Sequence, residues 1–127
     1  MSDTRWPHFT RDELACKCGC GKMDMDAEFM DTLEDLRDAV GPLPVTSGYR
    51  CQAHDMRVGG SSRPGGGPHT TGKAVDIAIT GELAYSLVAS AFSRGFDGIG
   101  VSQRSGRARF IHLDMASDRP RPRVWSY

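Results

Sequence analysis

The sequence lacks the features that would mark a membrane protein, a secreted precursor or a nucleic-acid-binding protein. Its 16 Lys and Arg residues balance its 16 Asp and Glu residues, so no net charge attracts a polyanion. It has no apolar stretch near the roughly 20 residues of a membrane-spanning helix, and its N-terminus, MSDTRWPHF, lacks the apolar core of a signal peptide. We therefore expect synthesis in the cytoplasm without a signal peptide, and neither nucleic acid nor membrane as a partner.

Internal repeats are absent as well. A length of 127 residues suits one domain with a modest core, and a charged content of 25% is ordinary for a globular chain. We expect residues 1–127 to form a single domain that functions as a monomer.

Two segments have helical periodicity. Apolar residues recur at helical spacing in 27–40, and a second helix is predicted near 82–94. Thr10 and Glu13 have the spacing of a capping box, which predicts a short helical turn after Thr10. The glycine- and proline-rich stretch GGSSRPGGGP, residues 59–68, predicts a long surface loop.

Two further segments alternate as strands do, at 74–79 (AVDIAI) and 110–115 (FIHLDM). One face of each strand is apolar, and the two rows are Val75, Ile77 and Ile79, and Ile111, Leu113 and Met115. The opposite faces carry Asp76, His112 and Asp114. Together with the helices, these strands predict an α+β fold with a small, mainly antiparallel central sheet flanked by helices, and with both apolar rows buried against the helices.

Three side chains can meet over this sheet. If the strands belong to one sheet, Asp76 and His112 lie side by side, and His69, one turn upstream, can fold back onto the same place. His and Asp are preferred zinc ligands, and three protein ligands that leave a fourth position for water are typical of a catalytic site. A loop His is usually solvated, however, and a strand Asp often caps a backbone group, so the spacing alone leaves both interpretations open.

The motifs around these residues resemble the zinc D-Ala-D-Ala carboxypeptidase family, peptidase family M15. TSGYR, HTTGKAVDI and FIHLDM occur in the family's order, with VGG, GIGV and the terminal RVW also in place, so that the resemblance covers nearly the whole chain. It implies a fold shared with the Hedgehog signalling domain. It also implies a catalytic Zn²⁺ ion with His69, Asp76 and His112 as its ligands.

Two positions depart from the family pattern. Gly67 stands where relatives usually have Ser, which alters the rim of the cleft rather than the metal site. Arg109 stands where many relatives have a carboxylate base, three residues before the last ligand. The nearest acid is Asp114, which shares a strand face with His112; we assign it either the acid/base role or the orientation of the ligand, and the choice stays open.

Arg50, at the end of SGYR, is the predicted electrophile. Its guanidinium could stabilise the oxyanion of a tetrahedral intermediate or bind a peptide carboxylate. Tyr49 and Trp125 are expected to line or brace the cleft. His54 is interpreted as a structural or rim residue, and His8 as a packing residue.

The four cysteines are Cys16, Cys18 and Cys20, in CKCGC, and Cys51. A cytosolic product argues against designed disulfides. Four thiolates make a complete ligand set for a second, structural zinc ion, although C-x-C-x-C is tighter than the usual spacing. A structural metal, disulfides formed after release and free thiols remain as alternatives.

The leading functional hypothesis is a zinc metallopeptidase that hydrolyses peptides of peptidoglycan, in the manner of a phage endolysin or a wall-remodelling enzyme. Its site of action would then be the bacterial cell wall or periplasm. The alternative is a non-catalytic zinc-bearing module of the same fold, such as a virion component. The bond that is cut is left open between carboxypeptidase and endopeptidase activities.

Overall fold

The computed structural model describes residues 4–58 and 66–127 of the chain. Its helices are α1 (Arg11–Leu14), α2 (Ala27–Val40), α3 (Gln52–Arg57) and α4 (Gly81–Ser93), with a 3₁₀ turn at Pro68–Thr71. Its strands are β1 (Val45–Ser47), β2 (Ala74–Ile77), β3 (Gly98–Ser102), β4 (Phe110–Asp114) and β5 (Arg123–Ser126). The predicted α+β class is confirmed.

The five strands form one sheet in the order β1-β2-β4-β3-β5. The pairs β1–β2, β2–β4 and β3–β4 are antiparallel, and β5 alone among the described strands pairs in parallel, with β3. Asp76 of β2 lies directly opposite His112 of β4. This register gives the side-by-side placement that the alternation of the two strands predicted.

Local sequence signals explain where the helices begin. Thr10 and Glu13 form the predicted capping box at α1, with bonds in both directions. At α2, the Asp26 carboxylate accepts from the Phe29 N–H at 2.9 Å and so satisfies one of the free donors of the first turn. The helix bounds agree with those predicted to within one residue, because these signals are encoded next to the apolar periodicity.

Helices α2 and α4 pack against each other and cover one face of the sheet. Phe29 of α2 meets Phe96 edge to face, with ring centroids 5.6 Å apart. Both apolar rows of the strands are buried against this layer, apart from Met115, which is partly buried. The polar row on the other face is therefore left to form the site.

Most of the loop predicted at 59–68 cannot be compared with the structure, because residues 59–65 lie outside the described part of the chain.

Strand β2 is two residues shorter than predicted, since the Ala78 N–H leaves the ladder and donates to the Pro44 carbonyl at 2.9 Å. Among the described residues, no helix is long and apolar enough to cross a membrane.

Candidate active site

His69, Asp76 and His112 converge above the polar face of the sheet. His69 lies on the 3₁₀ turn, and the other two lie at the middle of neighbouring strands. The Asp76 Oδ1 atom is 3.3 Å from His69 Nε2 and 3.0 Å from His112 Nδ1. One donor atom from each of the three residues lies within 4.8 Å of the other two.

Each histidine ring is fixed through the nitrogen that faces away from Asp76. The His69 Nδ1–H group donates to the Gly48 carbonyl at 2.8 Å, which leaves Nε2 free as an acceptor. The His112 Nε2 atom is 2.6 Å from Asp114 Oδ2, which leaves Nδ1 facing Asp76. A second hydrogen bond of this kind is what orients histidines that bind metals.

The donor set fits a zinc ion. Atoms bound at about 2.0–2.2 Å in a tetrahedron lie about 3.3–3.6 Å apart, and the observed separations of 3.0 and 3.3 Å come within a few tenths of an ångström of this range. Two nitrogens and one carboxylate oxygen are a zinc-type combination. Three ligands leave a fourth coordination position for water or substrate.

The charge state of Asp76 suits metal binding, whereas His112 has to lose a proton first. Burial would raise the pKa of Asp76, but the hydrogen bonds and charges of His112 and His69 hold it well below its usual range, so the carboxylate is anionic at neutral pH. Burial would lower the pKa of His112, but its hydrogen bonds with Asp114 and Asp76 raise it. Because this proton must leave before Nδ1 can bind a metal, metal affinity decreases as the pH falls.

Asp114 lies behind His112 and is completely buried. Arg121 donates to both of its oxygens at 2.7 Å, and the Ala116 N–H donates to Oδ1 at 3.2 Å. Burial would raise the pKa of Asp114, but the bonds from His112 and Arg121 outweigh it and lower the pKa. Gly98 is required beside it, because a Cβ atom there would lie 2.0 Å from Asp114 Oδ1.

Arg50 points into the same cleft from the other side. Its Nε–H donates to the Ser47 hydroxyl at 3.2 Å and its Nη1–H to Asp55 Oδ1 at 3.1 Å. Its Nη2 atom is 3.6 Å from Asp76 Oδ2. Asp55 is itself fixed, since its Oδ2 accepts from the Gly67 N–H at 2.8 Å. The guanidinium is therefore held beside the three converging side chains.

The cleft has a volume of about 550 Å³ and is lined by more cations than anions. Its lining includes the arginines Arg50, Arg119, Arg121 and Arg123, and the acids Asp55 and Asp76. One wall is aromatic and consists of Phe110, Trp125 and Tyr127. Such a cleft favours a ligand that carries carboxylate groups next to an apolar part.

Sequence reasoning singled out Trp125 in this wall but missed Arg119, Arg121, Arg123 and Tyr127. A signal was present, because every second residue from 119 to 127 lines the cleft. This is the period of a strand, and it would have placed all five side chains on one face. The prolines in RPRPR obscured it.

Most of the other residues named from the sequence lie outside the cleft. Among the described residues, neither Tyr49, His54 nor the exposed Arg109 lines the cleft. His8 pairs with Glu34 through Nδ1 at 2.6 Å on the surface. Trp125 lines the cleft as expected, with its ring centroid 5.1 Å from that of His112.

An α+β domain with an open His-Asp-His site in a charged cleft is the arrangement of a zinc hydrolase. The family model described as Peptidase M15 matches residues 7–114, and the chain belongs to this family of zinc-dependent peptidases. The match includes the three converging residues, Arg50 and Asp114, and it stops before the cleft-lining residues of 119–127. No individual curated protein matches the chain.

Proposed function

We propose that the protein is a zinc peptidase that hydrolyses peptide bonds in peptidoglycan stem or cross-link peptides. The observation that carries the proposal is the convergence of His69, Asp76 and His112 with Arg50 in one cleft. Stem peptides contain D-Glu and end in D-Ala, so they present carboxylates that Arg123, or the Arg50 Nη2 group that faces the site, could bind. Their small alanine side chains suit a cleft of this size.

The three converging residues would hold zinc, which supplies water of lowered pKa and a Lewis acid for the scissile carbonyl. Arg50 supplies positive charge where the carbonyl oxygen becomes negative. Ser47 and Asp55 hold the guanidinium in place before substrate arrives, so its orientation costs little during the reaction. Tyr127 lies at the cleft wall, where partial burial raises the pKa of its phenol; the phenol is protonated at neutral pH and can donate a hydrogen bond.

For Asp114, the contacts favour orientation of His112 over transfer of protons. Its two oxygens already accept from Arg121, and one also meets His112 Nε2, the nitrogen turned away from Asp76. It is fully buried and is not among the residues that line the cleft. We therefore assign Asp114 as a positioning residue for a metal ligand.

Asp114→Asn is expected to lower zinc affinity by about 10–100-fold, because an amide orients His112 less firmly. Activity should then be restored by excess zinc. The measurement is a zinc titration of the metal-free variant, followed by peptidase assays at each zinc concentration. Asp118→Asn, at an exposed acid paired with Arg119, is the matched control and should leave the titration unchanged.

If Asp114→Asn instead bound zinc normally but had a kcat lower by about 10²–10⁴-fold, Asp114 would be identified as a proton shuttle. The base would then be Asp114 itself, in spite of its burial. Asp55, which also lines the cleft, is a weaker candidate for the base, because its two oxygens already accept from Arg50 and from the Gly67 N–H.

Digestion of purified peptidoglycan tests the substrate. The zinc-loaded protein should release fragments that mass spectrometry can assign. Free D-Ala indicates a carboxypeptidase. Conversion of cross-linked peptides into separate stem peptides indicates an endopeptidase that cleaves the cross-link, and a new D-Glu amino terminus indicates cleavage after L-Ala. Asp76→Asn, which lacks one ligand, is the inactive control.

Prolonged digestion that releases neither D-Ala nor any peptide fragment and exposes no new amino terminus, although zinc is bound, would contradict the proposal and favour the non-catalytic module. A fall in the turbidity of a suspension of whole cell walls would support an endolysin-like role, since cleavage of cross-links dissolves the wall whereas removal of terminal D-Ala does not.

A further inference from the structure

The four cysteines meet in a second cluster, away from the His-Asp-His site. Cys16, Cys18 and Cys20 follow α1, and Cys51 precedes α3. The sulfur of Cys16 is 3.4 Å from that of Cys18 and 3.7 Å from that of Cys51, and the Cys18 and Cys51 sulfurs are 3.7 Å apart. All four sulfurs lie within 4.8 Å of one another.

These separations are those of a metal–thiolate tetrahedron. Four sulfurs at about 2.3 Å from zinc lie about 3.8 Å apart, whereas a disulfide brings two sulfurs to about 2.05 Å. Three of the distances fall between 3.4 and 3.7 Å, so the cysteines are grouped as a set rather than in pairs. An all-thiolate tetrahedral site selects zinc or iron among common metals.

The backbone around the cluster is arranged for this purpose. The Cys16 N–H donates to the Lys22 carbonyl at 2.9 Å, which closes residues 16–22 into a compact loop. Gly19 turns the loop with a φ of 87°, a conformation that disfavours other residues. The Cys51 N–H donates to the Cys16 sulfur at 3.3 Å, as backbone amides do when they stabilise bound thiolates.

We propose that Cys16, Cys18, Cys20 and Cys51 bind a second, structural zinc ion as four thiolates. Four thiols release four protons as four sulfur–zinc bonds form, and no oxidant or reductant is required. The complex carries a net charge of −2. Its position at the surface, with Cys18 and Cys20 exposed, lets water screen this charge and lets the metal enter.

The ion would fasten the N-terminal segment to the turn that carries Arg50. Cys51 follows Arg50 directly, and the Arg50 N–H donates to the His69 carbonyl at 3.1 Å. The neighbouring Tyr49 N–H donates to Leu14 at 2.8 Å, and Gly48 accepts the bond that orients His69. The second zinc thus braces the backbone on which the first site is built, and it does so whatever substrate the cleft accepts.

Elemental analysis of the full chain, purified with a non-thiol reductant, tests the proposal. The wild-type protein should contain two zinc ions per chain, and its thiols should react with a thiol reagent only after a chelator is added. Asp76→Asn should retain one zinc, held by the cysteines. Cys20→Ser should also retain one, held by the His-Asp-His site.

His8→Ala is the matched control, because His8, Glu34 and Asp38 also converge and could collect zinc at the surface. This variant should keep both ions. Should Cys20→Ser fail to fold, cobalt-loaded Asp76→Asn still decides the matter: it should show the sulfur-to-cobalt charge-transfer absorption of a tetrathiolate site.

Four results would overturn the proposal. Wild-type protein with one zinc and four freely reactive thiols would show that the cysteines are unligated. In protein purified without a reductant, an intact mass two hydrogens lower for each linked pair would show disulfides. A second zinc that disappears in His8→Ala, or cobalt-loaded Asp76→Asn without charge-transfer absorption, would show that the ion is bound elsewhere.

Discussion

His69→Ala is expected to remove the catalytic zinc and the peptidase activity together. The variant deletes one of the three proposed ligands, and the two that remain, Asp76 and His112, already contact each other at 3.0 Å and can pair without a metal. The zinc content should fall by one ion per chain relative to wild type, and activity should fall to background at ordinary zinc concentrations. Elemental analysis and a peptidase assay on the same preparation measure both.

His54→Ala provides the comparison, because His54 lies on α3 and does not line the cleft. It should keep the wild-type zinc content and activity. The zinc content of His69→Ala should match that of Asp76→Asn, since both lack the same ion and keep the one held by the cysteines. Full activity in His69→Ala would exclude the His-Asp-His site as the catalytic centre.

Arg50→Ala is expected to lower kcat/KM by about 10²–10³ while the catalytic zinc stays bound, the loss seen when one oxyanion donor is removed. The physical reason is its position: Nη2 is 3.6 Å from Asp76 Oδ2, close enough to reach a carbonyl oxygen that approaches the same centre. A loss confined to kcat indicates stabilisation of the oxyanion, whereas a loss confined to KM indicates that Arg50 binds a substrate carboxylate.

Folding has to be controlled in this experiment, because Arg50→Ala leaves the buried Asp55 without its cation. Arg50→Lys keeps a positive charge near Asp55 but loses the planar fork, so it should fold normally and still lose most of the rate. Arg104→Ala, on the exposed turn between β3 and β4, should change neither quantity. Wild-type kinetics in Arg50→Lys would mean that charge alone suffices.

The fold and the centre of the site could be predicted from the sequence because their signals are local. Alternation in β2 and β4 separates the apolar rows from Asp76 and His112, and burial of one face fixes the register that brings them together. Helices α1 and α2 also carry their own N-caps, Thr10 and Asp26. His69 needed more than alternation, since its fold-back depends on the 3₁₀ turn and on the Gly48 carbonyl.

What escaped prediction depends on contacts between segments distant in sequence. Arg121 belongs to the site only because the chain returns beside β3 and places its guanidinium on Asp114. The same return brings Tyr127 to the cleft. The role of Asp114 also could not be chosen from spacing, because orientation and proton transfer differ in which nitrogen of His112 it meets.

The parallel edge strand β5 and the segment before it contribute to the cleft in two different ways. Arg121 is bonded to Asp114 and therefore linked to His112, a proposed metal ligand. Arg123 and Trp125 instead lie on an edge strand that Tyr127 directly follows, and its backbone pairs only with β3 among the described strands. We therefore expect metal binding and substrate preference to depend on different parts of the chain. Substitutions along β5 should change which peptides the protein binds while the metal site stays intact. This strand is therefore the first place to vary in engineering enzymes with a different substrate specificity.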